Sequence, residues 1–78
     1  MKDKSTNMVI SYKRLWHLLI DRDISKSTLM READLCWGTL SKLNRGENVN
    51  TAILLRICTA LQCNIGDIMD ILPAEERQ

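Results

Sequence analysis

The sequence predicts one compact all-α domain of five short helices. The chain has 78 residues, the size of a single domain, and 45% of them are hydrophobic, which is enough for one core. Apolar residues recur at the i, i+3, i+4, i+7 spacing of amphipathic helices, and no alternating strand pattern stands out. The longest uninterrupted apolar run is Ala52–Leu55, far shorter than the roughly 20 residues that span a bilayer. No membrane partner is therefore expected.

The first two helices follow from their caps and their apolar positions. Residues 1–10 are mostly polar and lack a helical period, so they are predicted to form a flexible N-terminal arm. Ser11 can cap the first helix and Ser25 the second, because a serine hydroxyl accepts a hydrogen bond from a free N–H of the first turn. Asp34 can end the second helix, since aspartate tolerates the left-handed conformation. The apolar positions of these two helices are Tyr12, Leu15, Trp16, Leu19, Leu29 and Ala33.

The third helix is predicted from about Trp37 to Arg45. Gly46 follows it, and glycine is the preferred residue just beyond a helix. Asn50 can then cap the fourth helix, whose apolar positions are Leu54, Ile57, Cys58 and Leu61.

The fifth helix is predicted to start at Asn64 and to end before Pro73, because the residue before a proline disfavours helical geometry. Its apolar positions are Ile65, Ile68 and Met69. Residues 11–72 therefore make up the predicted helical domain, and residues 73–78 the C-terminal tail.

Charge is distributed unevenly along the chain. The net charge is only +1, with 11 Lys and Arg against 10 Asp and Glu, whereas nucleic-acid-binding domains often have a pI above about 9. Residues 1–45, however, hold nine Lys and Arg and five acids, a net of +4, while residues 46–78 have a net of −3. This asymmetry indicates a basic face for a polyanion and a neutral or acidic remainder.

The third helix has two chemically distinct sides when its residues are placed at about 100° per residue. One side carries Cys36, Thr39, Leu40 and Leu43 and can anchor the helix on a core. The other side has no acid, which fits a face for phosphates and base edges because a solvated face normally mixes both signs. An ordinary solvated helix is the alternative interpretation. The residues of this second side are Trp37, Gly38, Ser41, Lys42 and Arg45.

Two short helices joined by a tight turn, the second bearing such a face, form a helix-turn-helix. From Ser25 to Ile68, the segments SKSTLMREADLCWGTLSKLNRGENVN and ILLRICTALQCNIGDIM resemble the Cro and lambda-repressor-like (XRE-type) family of transcription factors. With the first helix included, the resemblance covers about four fifths of the chain. It implies a five-helix lambda-repressor-like DNA-binding domain whose third helix lies in the major groove.

The resemblance also implies roles for individual residues. Bases are read in such proteins from the first turns of the third helix, and phosphates are bound at the start of the second helix and near the end of the third. Four positions depart from the family pattern. Met30 replaces the usual Ala, Asp34 the usual Gly and Cys36 the usual Ser or Thr, and Trp37 stands at a base-reading position where polar side chains are common. The DNA-binding residues that the resemblance implies are Lys26, Trp37, Gly38, Thr39, Ser41, Lys42 and Arg45.

Cysteine and histidine usage gives no pattern for a metal or a catalytic site. Cys36, Cys58 and Cys63 are odd in number and lack C-x-x-C spacing, and His17 makes no ligand pair with any of them. No paired carboxylates, catalytic triad or phosphate-binding loop is recognisable. The sequence therefore predicts a protein that is not an enzyme, with no cofactor, no metal and no small-molecule substrate.

Two functions from different classes remain open at this point. The leading hypothesis is a sequence-specific regulator, a repressor, that binds a double-stranded DNA operator as a homodimer. Such a protein is expected to be cytoplasmic, nucleoid-associated, and of prokaryotic or phage origin. The alternative is a protein-interaction module, antitoxin-like or anti-repressor, that uses the same scaffold with Trp37 and the hydrophobic C-terminal region to hold another protein.

Overall fold

The computed structural model describes residues 8–74, which form four α-helices, one short 3-10 turn and a two-stranded antiparallel sheet. None of these helices is long and apolar enough to cross a membrane. The elements in chain order are β1 (Met8–Ser11), α1 (Lys13–Asp21), α2 (Lys26–Ala33), α3 (Trp37–Asn44), α4 (Thr51–Leu61), the 3-10 turn (Ile65–Asp67) and β2 (Asp70–Pro73).

Local capping defines the starts of α2 and α4, as the sequence predicted. The hydroxyl of Ser25 accepts a hydrogen bond from the Thr28 N–H at 3.0 Å, and the side-chain oxygen of Asn50 accepts one from the Ile53 N–H, also at 3.0 Å. Each bond satisfies one of the N–H groups that a helix leaves free in its first turn. These two helices therefore begin where their caps require.

The predicted end of α2 is confirmed, whereas the predicted cap of α1 is wrong. Asp34 ends α2 in the left-handed conformation with a φ of 57°, as predicted. Ser11 is not the capping residue of α1, because Tyr12 occupies that position. The Ser11 hydroxyl instead accepts a hydrogen bond from the Lys13 N–H at 3.3 Å, so it supports the first turn from one residue further back.

The predicted fifth helix is wrong. Its residues form the 3-10 turn Ile65–Asp67 and then strand β2. The turn is closed by the Asp67 carboxylate, which accepts a hydrogen bond from the Asn64 N–H at 2.9 Å. Beyond it, the backbone groups of Asp70–Pro73 pair with β1 instead of with a preceding helical turn. The domain is therefore mostly helical rather than all-α.

The two strands connect the beginning and the end of the described chain. Val9 lies opposite Leu72, and Ile10 lies opposite Ile71. The predicted boundaries between residues 10 and 11 and between residues 72 and 73 both fall inside these strands. Residues 1–7 of the predicted flexible arm and residues 75–78 of the predicted C-terminal tail lie outside the described residues.

The core sits where the four helices meet the 3-10 turn. Every helix contributes at least two buried side chains, and Ile68, just after the 3-10 turn, is fully buried. Tyr12 is buried as well, and its hydroxyl donates a hydrogen bond to the carbonyl oxygen of Glu47 at 3.0 Å. This bond fixes the loop that follows α3 against the core. The fully buried large side chains are Leu15, Leu29, Leu43, Ile57 and Ile68.

Candidate nucleic-acid interface

Helices α2 and α3 form a helix-turn-helix whose turn is fixed by backbone bonds. Asp34 takes the left-handed conformation, and the N–H of Leu35 then donates a hydrogen bond to the carbonyl of Met30 at 2.8 Å. The Leu35 side chain is buried in the core. A backbone hydrogen bond and the buried Leu35 side chain therefore both hold the turn between the two helices.

Four of the five residues of the predicted face are exposed, and the fifth, Ser41, is half-buried. Leu40 and Leu43 are buried and anchor the helix, while Trp37, Gly38 and Lys42 are exposed. The indole of Trp37 is 67% exposed, a large fraction for the biggest apolar side chain. A rigidly anchored helix thus presents an indole, a glycine and an ammonium group to the solvent.

Two residues assigned to the core side of α3 do not lie in the core. Cys36 is exposed and Thr39 is half-buried. Cys36 precedes the first residue of α3, so its position does not follow the helical rotation. Its thiol makes no capping bond to the backbone but lies 3.4 Å from the Thr39 hydroxyl. Hydrogen bonding from the Thr39 side chain lowers the pKa of the Cys36 thiol.

Gly38 leaves space on the exposed face. A Cβ atom at this position would lie 3.8 Å from the Cys36 sulfur, an ordinary van der Waals contact, and would meet nothing nearer. Packing within the protein therefore does not require a glycine here. The missing side chain instead leaves the backbone of α3 open to a close approach from outside.

Lys26, at the start of α2, is placed by two contacts. Its ammonium donates a hydrogen bond to the Asn44 side-chain oxygen at 2.7 Å and lies 4.1 Å from the centroid of the Trp16 ring. Asn44 is the last residue of α3, and Trp16 belongs to α1. The ammonium of Lys26 thus lies where three helices come together.

Arg45 lies just beyond α3 and is paired with a carboxylate that the helical wheel did not include. Its guanidinium bonds the two Glu47 carboxylate oxygens at 2.7 Å and 3.3 Å, and both side chains are exposed. The hydrogen bond from Arg45 lowers the pKa of Glu47, and the same contact raises the pKa of Arg45. The basic end of α3 is therefore partly neutralised.

The predicted residues lie together on the helix-turn-helix. Six of them, Trp37 to Arg45, lie along α3 and its C-terminal cap, and Lys26 joins them through Asn44 at the far end of α3. Two contributors were not predicted from the sequence, namely Trp16 beneath Lys26 and Glu47 beside Arg45. The only sequence signal for Glu47 was its position two residues after Arg45. Ser41 and Thr39 are half-buried on this helix.

Comparisons with known proteins agree with this geometry. Residues 14–74 match the family described as the Cro/C1-type HTH DNA-binding domain. The crystal structure of the transcriptional regulator VanUg, form II, is similar with a TM-score of 0.86 and 41% sequence identity, over 94% of this chain and 97% of that one. Comparison with curated proteins gives no match. The resemblance predicted from the sequence is thus confirmed, and the chain belongs to the Cro/C1-type helix-turn-helix DNA-binding family.

Proposed function

We propose that this protein is a non-enzymatic transcriptional regulator that binds a specific double-stranded DNA sequence with α3 in the major groove. The observation that carries this proposal is the exposed face of α3 from Trp37 to Lys42, which is free of carboxylates and is anchored by buried Leu40 and Leu43. A helix fits the major groove of B-DNA, where each base pair presents a distinct pattern of donors and acceptors. The similarity to a transcriptional regulator supports the same function.

Base readout is assigned to the residues that are exposed or half-buried on the first turns of α3. The Lys42 ammonium and the Ser41 hydroxyl donate hydrogen bonds to acceptors such as guanine O6 and N7. The indole of Trp37, with its 67% exposure, supplies apolar contact for a thymine methyl group or a sugar. Gly38 lets the backbone of α3 approach the base edges closely.

Phosphate binding is assigned to Lys26, Thr39 and Arg45. Phosphate contacts fix the register of a protein on the duplex and supply affinity without sequence information. Asn44 and Trp16 hold the ammonium of Lys26 in a position from which it can contact a phosphate. Arg45 shares its guanidinium with Glu47, so DNA has to compete with that carboxylate for it.

We infer that the protein binds paired half-sites as a homodimer, because one copy of such a small surface gives too few contacts for high affinity. A single module makes few base contacts, and a twofold dimer doubles them on half-sites about 34 Å apart. We assign it the role of a cytoplasmic repressor in a prokaryote or phage, because repression requires only that the operator is occupied. No cofactor is needed for that role.

One observation favours the alternative of a protein-interaction module. Trp37 borders an open groove of about 340 Å³ between α2 and α3, together with Met30 and Leu35. A partner protein with an apolar side chain can enter this groove and cover the exposed indole.

The test is selection of bound duplexes from a random library, followed by titration of the selected duplex at salt concentrations between about 50 and 200 mM. We expect one enriched sequence and a log–log salt slope of several units. Lys42→Ala should weaken binding to the selected duplex, whereas Arg56→Ala, which removes an exposed cation of α4, serves as the charge-matched control. Absence of binding to any duplex at low salt would reject the proposal in favour of the protein-interaction module.

A further inference from the structure

The C-terminal end of α4 brings two cysteines together. Gln62 ends the helix in the left-handed conformation with a φ of 51°. The Cys63 N–H then donates to the Cys58 carbonyl at 3.1 Å, and the Gln62 N–H donates to the Thr59 carbonyl at 3.3 Å. These two bonds define a Schellman motif, which frequently places the side chain just after the left-handed residue against the side chain five positions earlier. In this chain both of those side chains carry thiols.

Both thiols border the same groove at the surface, which leaves them accessible. Cys58 and Cys63 are half-buried, and they line an open groove of about 750 Å³ together with Leu54, Leu55 and Ile65. Burial raises the pKa of the Cys63 thiol, and the adjacent Cys58 raises it further. A small reagent can enter this groove and reach a pair of neighbouring thiols.

We propose that Cys58 and Cys63 are a reversible dithiol–disulfide pair that reacts with low-molecular-weight disulfides. The thiolate of one cysteine attacks a sulfur of the small disulfide, which releases one small thiol and leaves a mixed disulfide on the protein. The thiolate of the second cysteine then attacks the protein sulfur of that mixed disulfide and releases the second small thiol. Two electrons pass to the small disulfide, and the two cysteine protons end on the two small thiols released.

The disulfide would fix the segment that follows α4. Cys63 leads directly into the 3-10 turn, then to the fully buried Ile68 and on to strand β2. A covalent link to α4 restricts the unfolded chain and holds this segment against the helix. We therefore expect the oxidised protein to melt at a temperature higher by roughly 10 °C than the reduced protein.

The experiment uses the Cys36→Ser variant, which retains only Cys58 and Cys63 of the three cysteines and lacks the exposed thiol that would link separate chains. The folded variant is equilibrated in buffers of oxidised and reduced glutathione, acid-quenched, and analysed by intact mass, peptide mapping and thermal melting. We expect a product lighter by two hydrogens, with Cys58 linked to Cys63, that dithiothreitol reverses. The double variant Cys36→Ser/Cys63→Ser should give only a glutathione adduct. A Cys36→Ser protein that stays reduced at every ratio, accumulates glutathione adducts, or links between chains would overturn the proposal.

Discussion

The ammonium of Lys26 donates a hydrogen bond to the side-chain oxygen of Asn44 at 2.7 Å and thereby joins the first residue of α2 to the last residue of α3. The contact is exposed to solvent, and water competes for both groups, so it contributes little to stability. The contact instead fixes the position of the Lys26 ammonium. The Trp16 ring lies 4.1 Å from the same ammonium, so the positive charge is held at the end of the helix-turn-helix instead of moving freely on a long side chain.

Lys26→Ala is predicted to weaken binding to specific and random duplexes by the same factor. A phosphate contact carries no sequence information, so its loss should lower the log–log salt slope by about 1 and leave the specificity ratio unchanged. The change in the free energy of unfolding should stay within about 0.5 kcal/mol. Fluorescence anisotropy over a series of salt concentrations measures the slope, and Lys26→Arg, which keeps the cation, is the control. An unchanged slope for Lys26→Ala would show that Lys26 makes no phosphate contact.

The sequence predicted those parts of the fold that depend on neighbouring residues. The caps of Ser25 and Asn50 and the left-handed Asp34 are local features, and each was found where it was predicted. Strands β1 and β2 are four residues each and separated by most of the chain. Such short segments show no clear alternation, and only their pairing in the folded protein makes them strands.

The positions of the site residues on α3 could likewise be predicted from the sequence, whereas their contacts with other segments could not. Helical periodicity placed Trp37, Gly38 and Lys42 on the exposed face of α3, because rotation along a helix is regular. The Glu47 carboxylate could not be placed in this way, since it follows Gly46, whose φ of 72° takes the chain out of the helix. The stacking of Lys26 on Trp16 likewise depends on how α1 packs beside α2, which periodicity does not define.

Glu47→Gln is predicted to strengthen duplex binding about 2- to 10-fold at low salt, a change of about 0.4–1.4 kcal/mol, because it removes the carboxylate that competes with phosphate for Arg45. The hydrogen bond from Arg45 lowers the pKa of Glu47. The stabilisation from this pair is therefore present above the unfolded-state pKa of glutamate and is lost as the pH falls through the lowered, folded-state pKa. In an Arg45→Ala background, Glu47→Gln should have a much smaller effect on affinity. An equal gain in both backgrounds would mean that Glu47 acts through general repulsion of DNA and not through Arg45.

Gly38→Ala is predicted to affect stability and DNA binding in opposite directions. Alanine favours a helix over glycine by about 0.5–1 kcal/mol, and the added Cβ meets only the Cys36 sulfur at 3.8 Å. The free energy of unfolding in urea should therefore rise. Affinity for the selected duplex should fall, because the new methyl group lies between α3 and the base edges. Unchanged affinity in the more stable variant would remove Gly38 from the DNA interface.

Cys36→Ser is predicted to stabilise the fold by about 1 kcal/mol. Cys36 occupies the capping position of α3 without making a capping bond, whereas a serine hydroxyl there can accept a hydrogen bond from the Thr39 N–H. Urea denaturation of the reduced proteins provides the measurement. Cys36→Ala, which removes the sulfur without supplying a cap, should show no such gain. A serine variant no more stable than the alanine variant would argue against a vacant cap.

If the exposed face of α3 reads base sequence, loss of the Lys42 ammonium should change the specificity ratio of the protein. The affinity for the selected duplex is measured against that for a scrambled duplex of equal length and composition, for wild type, Lys42→Ala and Lys26→Ala at one salt concentration. We expect Lys42→Ala to lower the ratio about 5- to 150-fold, the equivalent of about 1–3 kcal/mol for a base contact, and Lys26→Ala to leave it unchanged. An unchanged ratio for Lys42→Ala, with affinity for both duplexes reduced equally, would contradict base readout by Lys42 and reduce its role to that of a phosphate contact.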